Sequence, residues 1–399
     1  MKIISEGETK IFVPSESTLN HNKGPGTANV PVFYNPAMEF SRDLSILMLE
    51  KFLTDLDKKY SSGPKIKLLD GLAGTGIRGV RIGKEIPSAQ SPQVSIIIND
   101  FNPLAFKLIS KNIELNKLIN AESTKKDLNG LLSKNRFNYI DVDPFGSPIE
   151  FLDASTRSLR NNGLLAVSAT DTAPLFGRYP TTCLRRYDAW SGRTAFSHEL
   201  GPRILIGCCV RIAARYNLGL IPLLTHATDY YYRIYLKGVR SRGAASEAIE
   251  EIGYVRQFNN SNKFEVILRN DLHQTSFMGL TQITNDRKLN DSRLIGPLWL
   301  GKLYSREFID GLDIGPHKLG TKKDLTKMLA IWLEEVGAPP GFYDANKLSS
   351  ELKLSTPPLS SIINSLKKNG FFASHTHINP NAFKTDADFD EVVSILKEL

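Results

Sequence analysis

The sequence predicts an α/β protein built on a mostly parallel sheet, followed by a smaller domain of mixed α and β type. Three observations predict it. Short β-branched runs alternate with segments of helical period over about 38–240, the pattern of a parallel sheet covered on both faces. A glycine-rich turn, Asp70-Gly71-Leu72-Ala73-Gly74-Thr75-Gly76-Ile77-Arg78-Gly79, stands between the first such run and a helix. After Arg240 the alternation stops, and short strand-like runs give way to amphipathic helices. The expected domains are therefore 1–240 and 241–399.

The elements follow in order. Residues 19–30 are rich in Asn, Gly and Pro and read as an exposed loop. Val32-Phe33-Tyr34 is an apolar run stopped by Asn35-Pro36. Leu44, Leu47, Met48 and Phe52 give a helix over 38–56. The first strand, 65–70, enters the glycine turn and a helix around 80–85. A strand over 94–98 ends in Asn99-Asp100, and a helix over 103–116 follows. A third strand is expected before Asp127, a fourth over 137–142 and a fifth over 163–168. A helix from Pro202 to Tyr216 precedes two late strands, 219–225 and 230–236. Beyond 240, strands are expected over 254–258 and 264–268, and helices over 321–336, 344–352 and 358–369. The last helices, with Phe371-Phe372-Ala373-Ser374, read as a helix-turn-helix and a following strand.

Composition excludes several classes. Of the 399 residues, 41% are hydrophobic and 23% charged, which is globular rather than disordered. A net charge of +8 permits a polyanionic partner without demanding one. No apolar run reaches the roughly 18 residues of a membrane span, and the polar start does not read as a signal peptide. Cys183 and the vicinal pair Cys208-Cys209 form neither a disulfide framework nor a zinc pattern, so a reducing, cytoplasmic setting is expected.

Gly74-x-Gly76-x-x-Gly79 formally matches the dinucleotide fingerprint of a Rossmann-like fold, but Asp70 directly before it would repel a pyrophosphate. A carboxylate there suits a ligand carrying an amine, such as the methionine end of S-adenosylmethionine. Asp100, after the second strand, is placed to accept from ribose hydroxyls, a feature nicotinamide and methionine cofactors share. Asp127 is placed to meet an adenine amino group.

The second motif, Asp141-Val142-Asp143-Pro144-Phe145-Gly146-Ser147-Pro148, follows the fourth strand, on the same sheet edge as the glycine turn. The exocyclic amine of a nucleobase is a poor nucleophile, its lone pair delocalised into the ring. A carboxylate and a proline carbonyl both accept hydrogen bonds from it, orient it, and stabilise developing positive charge. An aromatic ring beside them stacks on an extruded base.

These motifs, with Glu6-Gly7, Val32 to Pro36, Ser41-Arg42-Asp43, Ala169 to Leu175, His198 to Arg203, Gly296 to Trp299 and His375-Thr376-His377, resemble the tRNA guanine-N2 dimethyltransferase family that modifies guanosine 26, in its archaeal form. The resemblance covers nearly the whole chain and implies a class I methyltransferase fold with S-adenosylmethionine as cofactor and tRNA as partner. By it, Asp143 would hold the amine with Pro144, Phe145 would stack near the guanine, and Phe33 would lie on the base's other face. Cofactor contacts would come from Arg42, Asp70, Gly71, Gly74, Gly76, Arg78, Asp100, Asp127 and Leu128. One departure stands out. Many members carry paired cysteines before the Gly-Pro-Leu-Trp segment, whereas 253–296 has none here, so no metal is expected. The alternatives are an amino-methyltransferase acting on rRNA or on DNA adenine, a nicotinamide-dependent dehydrogenase, and a non-catalytic tRNA-binding protein.

Seven arginines and no lysine lie between Arg178 and Arg215, with Tyr179, Tyr187 and Trp190 among them. Arg178, Arg185, Arg186 and Arg193 are the expected RNA contacts, because guanidinium forks suit phosphates. Arg203, Arg211 and Arg215 fall in the helix, where internal pairing competes. Lys367 and Lys368 are the C-terminal segment's candidate contacts for tRNA. His375-x-His377 on a strand would share one face, and Cys208-Cys209 read as core.

Overall fold

The apolar runs of the first half become strands in a computed structural model that describes residues 1–15, 31–59, 65–228, 230–259, 261–268 and 292–399. The loop expected over 19–30 lies outside these. Strands β1 (Lys2–Glu6) and β2 (Thr9–Val13) pair as an antiparallel hairpin. Strands β3 (Ile66–Asp70), β4 (Val94–Asn99), β5 (Ala121–Thr124), β6 (Phe137–Val142), β7 (Leu159–Ala169), β8 (Leu218–Ala227) and β9 (Tyr232–Arg240) form one sheet in the order β5-β4-β3-β6-β7-β9-β8. Strands β5 through β7 in that order are parallel, with Leu69 opposite both Ile97 and Ile140. Leu68, Leu69, Ile96, Ile98, Tyr139 and Ile140 are buried, which explains why these strands read as unbroken apolar runs.

The chain forms two compact units. The first contains Met1–Thr170, Tyr235–Arg240 and Glu307–Leu329; the second contains Asp171–Ile234, Ser241–Arg306 and Ala330–Leu399. The chain does pass from one to the other after Arg240, the boundary expected from sequence, but also after Thr170, Ile234, Arg306 and Leu329. Discontinuous units of this kind are not legible to a reading that follows contiguous segments.

In the first unit, helices α1 (Glu39–Lys59), α2 (Ile77–Glu85), α3 (Pro103–Leu115), α4 (Leu128–Lys134) and α5 (Ile149–Ser158) accompany the strands. Helix α2 lies close to the sheet because Gly79 has no side chain: a Cβ there would meet Ile98 Cγ1 at 2.7 Å. Helix α3 opens on Pro103, and the Asn102 side chain accepts from Leu104 N–H.

The second unit includes α6 (Thr172–Leu175), α7 (Pro180–Tyr187), α8 (Ser197–Ala214) and α9 (Arg242–Glu250). Helix α8 starts five residues before the Pro202 start expected from sequence. Thr194 and Ser197 order the chain ahead of it through Thr194 N–H to Ser197 Oγ (2.6 Å) and Phe196 N–H to Thr194 Oγ1 (3.1 Å). Pro202 then lies inside the helix, where it forfeits one backbone bond. Strands β10 (Ile252–Phe258), β11 (Phe264–Leu268) and β12 (Ser292–Trp299) form an antiparallel sheet. At the C-terminal end, helices Ala345–Glu351, Leu359–Lys368 and Phe389–Glu398 surround Leu348, Ile362, Leu366, Phe383 and Val392. The first two match the helices expected over 344–352 and 358–369, and the strand after them is Ala373–His375. Among the described residues no helix is long and apolar enough to cross a membrane.

Candidate active site at the carboxyl edge of the sheet

The acids singled out in the sequence gather at the carboxyl ends of β3, β4, β5 and β6, the edge where parallel sheets bind ligands. All lie in the first unit. The glycine turn needs its glycines: Gly74 and Gly76 have φ of +56° and +78°. A Cβ on Gly74 would also stand 3.0 Å from the Phe33 carbonyl. Asp100 fixes this turn, its Oδ2 accepting from Gly74 N–H at 2.8 Å and its Oδ1 from Asn102 N–H at 2.9 Å. Burial raises the Asp100 pKa above the ordinary carboxylate value, although both N–H groups oppose the shift. Asn99 braces the turn from behind, donating to the carbonyls of Gly71 and Lys126. Asp127 is exposed and caps α4, accepting from Gly130 N–H at 2.8 Å, while Leu128 is buried beneath it.

Asp70 stands opposite Asp141 in the sheet register. Its Oδ2 accepts from Gly79 N–H at 2.8 Å. Burial and the neighbouring Asp141 push its carboxyl up to about 7, against the pull of Arg78 and of that N–H. Asp141 is fully buried in β6 and accepts from Tyr139 O–H at 2.5 Å. Arg78, 6% exposed, lies with Nε 3.5 Å from Asp141 Oδ2 and donates from Nη2 to Asp143 Oδ2 at 2.5 Å. The Asp143-Pro144-Phe145-Gly146 turn is held at its far end by Gly146 N–H to Thr170 Oγ1 (2.6 Å) and Thr170 N–H to Gly146 O (3.0 Å).

Phe145 is 65% exposed, so it is not a core side chain. Its ring meets Phe33 edge to face, with centroids 4.7 Å apart. The sequence expectation put the two rings on opposite faces of a base; here they touch each other. Phe33 is carried by a segment tied to the hairpin: Tyr34 O–H donates to Glu6 Oε1 at 2.7 Å, and Val32 lies against Ala105 and Leu108. Arg42, an expected cofactor contact, is 5% exposed and donates to both oxygens of Glu6 and to Asn35 O. Arg81, fully buried, extends this network to Asp43 (2.7 Å) and Glu85 (2.9 Å). Sequence reasoning gave no role to Glu6, Arg81 or Asp141. The signal for Asp141 was present: a carboxylate inside an apolar strand must find partners.

In the second unit, the expected RNA contacts divide. Arg178, Arg185 and Arg193 are exposed, and Arg178 lies over the half-exposed Tyr179 ring. Arg186 instead donates to Asp171 at 2.8 Å, beside Tyr187 O–H at 2.6 Å. Arg203 is buried against Glu199, and Arg211 donates to the carbonyls of Tyr187 and Asp188. The shared face expected of His375 and His377 is not formed. The strand ends at His375, whose side chain is half-exposed beside Glu334, while the His377 side chain is buried on Glu335 and Tyr304. Cys183, Cys208 and Cys209 are free, buried thiols, and burial raises the pKa of each.

A sheet whose strands β3 to β7 run parallel, with a glycine turn after β3, an acid at the carboxyl end of each of β3 to β6 and an acid-Pro-Phe turn on the same edge, defines a class I S-adenosylmethionine-dependent methyltransferase fold. The family model described as N2,N2-dimethylguanosine tRNA methyltransferase matches residues 7–397, and the chain belongs to that family. It is 37% identical to the tRNA (guanine(26)-N(2))-dimethyltransferase of Methanococcus maripaludis, over 100% of this chain and 98% of the relative. It is 36% identical to the protein of the same name from Methanothermobacter thermautotrophicus, covering 100% and 99%. Among solved structures it is similar to the complex of Trm1 from Pyrococcus horikoshii with S-adenosyl-L-methionine, at TM-score 0.82 and 31% identity, over 99% of this chain and 100% of that one.

Proposed function

We infer that this chain methylates the exocyclic N2 amine of guanosine 26 in tRNA, in two successive transfers from S-adenosylmethionine. The observation that carries the chemistry is the Asp143-Pro144-Phe145 turn beside the Gly74 cradle, within one unit. The cradle fits the cofactor: left-handed glycines open the backbone, Asp100 lies beside it for the ribose, and Asp70 stands at its base for the amine. When bound, S-adenosylmethionine supplies a methyl group already activated on a sulfonium, and the C–S electron pair departs with S-adenosylhomocysteine.

The chain's own groups position and stabilise. In this reading, Asp143 and the Pro144 carbonyl accept from the two amine hydrogens and turn the nitrogen lone pair toward the methyl carbon. As the C–N bond forms, the nitrogen becomes cationic and its proton passes to the Asp143 carboxylate or through it to water. The exposed Phe145 ring and Phe33 hold the base after their edge-to-face contact opens. For the second transfer, the methylated amine rotates to present its remaining hydrogen. No metal has a part in these steps, because the sulfonium needs no further activation. Exposed Arg178, Arg185 and Arg193 support contact with the tRNA backbone. Three free, buried thiols suit a reducing, cytoplasmic setting. The test is to incubate the pure protein with labelled S-adenosylmethionine and, separately, unmodified tRNA, rRNA and DNA. Label is expected in tRNA alone; preferential labelling of rRNA or DNA would overturn the substrate assignment.

A further inference from the structure

The guanidinium of Arg78 joins three parts of the first unit. Arg78 is the second residue of α2, directly after the glycine turn. Its Nη1 donates to Ser41 O (3.2 Å) and to Ser45 Oγ, both on α1. Its Nε lies 3.5 Å from Asp141 Oδ2, an oxygen held from the other side by Tyr139 O–H. Its Nη2 donates to Asp143 Oδ2 at 2.5 Å. Ser41, Ser45 and Asp141 are each fully buried, so three of the four anchors are fixed by the fold. Asp143 is the fourth: its side chain is 24% exposed and sits on a turn. A planar guanidinium presents its donors in a rigid fork, so fixing one side of it fixes the other. The fork thus carries the order of the buried anchors out to the partly exposed carboxylate.

We propose that Arg78 is the positioning residue for Asp143, holding Oδ2 so that Oδ1 is presented to the guanosine amine, and thereby keeping the acid-Pro-Phe turn in register with the cofactor loop. The proposal rests on the functional reading above. It differs from the expectation that Arg78 serves the cofactor: the hydrogen bonds direct its guanidinium to the catalytic turn. Misplacement of a catalytic group by about 1 Å costs on the order of 100-fold in rate. Loss of the fork should therefore appear in the transfer step and leave the binding steps in place.

The experiment compares wild type, Arg78→Gln, Asp143→Asn, the double variant and Arg78→Lys. For each, the single-turnover rate at saturating tRNA and cofactor, the KM for tRNA, the Kd for S-adenosylhomocysteine and the melting temperature are measured. Arg78→Gln is expected to lower the saturated rate about 100-fold, with both binding constants within about threefold of wild type. Added to Asp143→Asn, it should cost less than about threefold more, because it acts through the same carboxylate. Arg78→Lys keeps the charge but not the fork and should recover only part of the rate. The proposal is overturned if Arg78→Gln weakens S-adenosylhomocysteine binding tenfold or more while the saturated rate survives, which makes Arg78 a cofactor ligand. It is equally overturned if the two losses multiply in the double variant. Should Arg78→Gln not fold, Arg78→Lys carries the test, and a full wild-type rate in that variant contradicts the proposal. A wild-type protein that leaves guanosine unmethylated, or an Asp143→Asn variant of normal rate, sinks the functional reading instead.

Discussion

In the second unit, Glu199 lies fully buried between Arg203 at 2.8 Å and Lys384 at 2.5 Å, and it also accepts from Gly341 N–H. In the first unit, Asp70, Asp141 and Asp143 gather around the guanidinium of Arg78. Both are charged clusters taken largely out of water, yet their electrostatics run in opposite directions. Burial raises the Glu199 carboxyl, but the two cations outweigh it and hold the group at about 2. Burial also raises Asp70, and the nearby carboxylates add to it, so that this group sits at about 7. Where only the fold is at stake, two cations flank one carboxylate and keep it ionised. Where the glycine turn opens, negative charge is left in excess of the guanidinium. A ligand bearing a sulfonium and an ammonium is the partner such an excess suits.

The largest effect is expected at the functional cluster. Asp143→Ala should lower methyl transfer by at least about 1,000-fold, measured as single-turnover label transfer, while calorimetry finds S-adenosylhomocysteine affinity within about threefold of wild type. Lys384→Met strikes the structural cluster instead and leaves Glu199 with one cation. It should destabilise the fold by about 3 kcal/mol, read as a fall of roughly 4 °C in melting temperature for a chain of this length. Its pH dependence has a definite sign. The folded Glu199 value lies below its ordinary 4.5, so its stabilisation is present above about pH 4.5 and fades as pH falls toward 2. Lys384→Met should flatten that part of the melting-temperature profile, and an unchanged profile would contradict the assignment. Phe145→Ala gives the smallest effect and sharpens the contrast. Loss of base stacking, about 1–3 kcal/mol, should lower kcat/KM about 10- to 100-fold. Because the ring is 65% exposed, stability should move by less than about 0.5 kcal/mol.

What the sequence disclosed follows from how far each signal reaches along the chain. The parallel strands and the glycine turn were legible because burial on both faces writes a continuous apolar run, as in Ile96-Ile97-Ile98. The residues of β5 were not, because Ala121–Thr124 is short and half-exposed. The β1–β2 hairpin was also missed, although Thr9, Ile11 and Val13 alternate with more exposed neighbours in a period of two. The last helix was legible in principle, since Asp388 and Glu391 form a capping box. The site was legible as motifs but not as pairings. Arg78 was seen as part of the glycine turn, whereas its partner Asp143 lies 65 residues away. His375-x-His377 misled for the converse reason: local spacing implied one face, but the strand ends between them and the two rings enter different surroundings.

The proposed role of the acid-Pro-Phe turn is amino-methylation of one guanosine in tRNA. It is tested most directly by nucleoside mass spectrometry of an unmodified tRNA transcript after reaction with S-adenosylmethionine, with the modified position mapped. The account predicts N2-methylguanosine appearing first and N2,N2-dimethylguanosine following, both at position 26. Methylation of a ring nitrogen, of ribose or of adenine, or a transcript recovered unmodified, would contradict it.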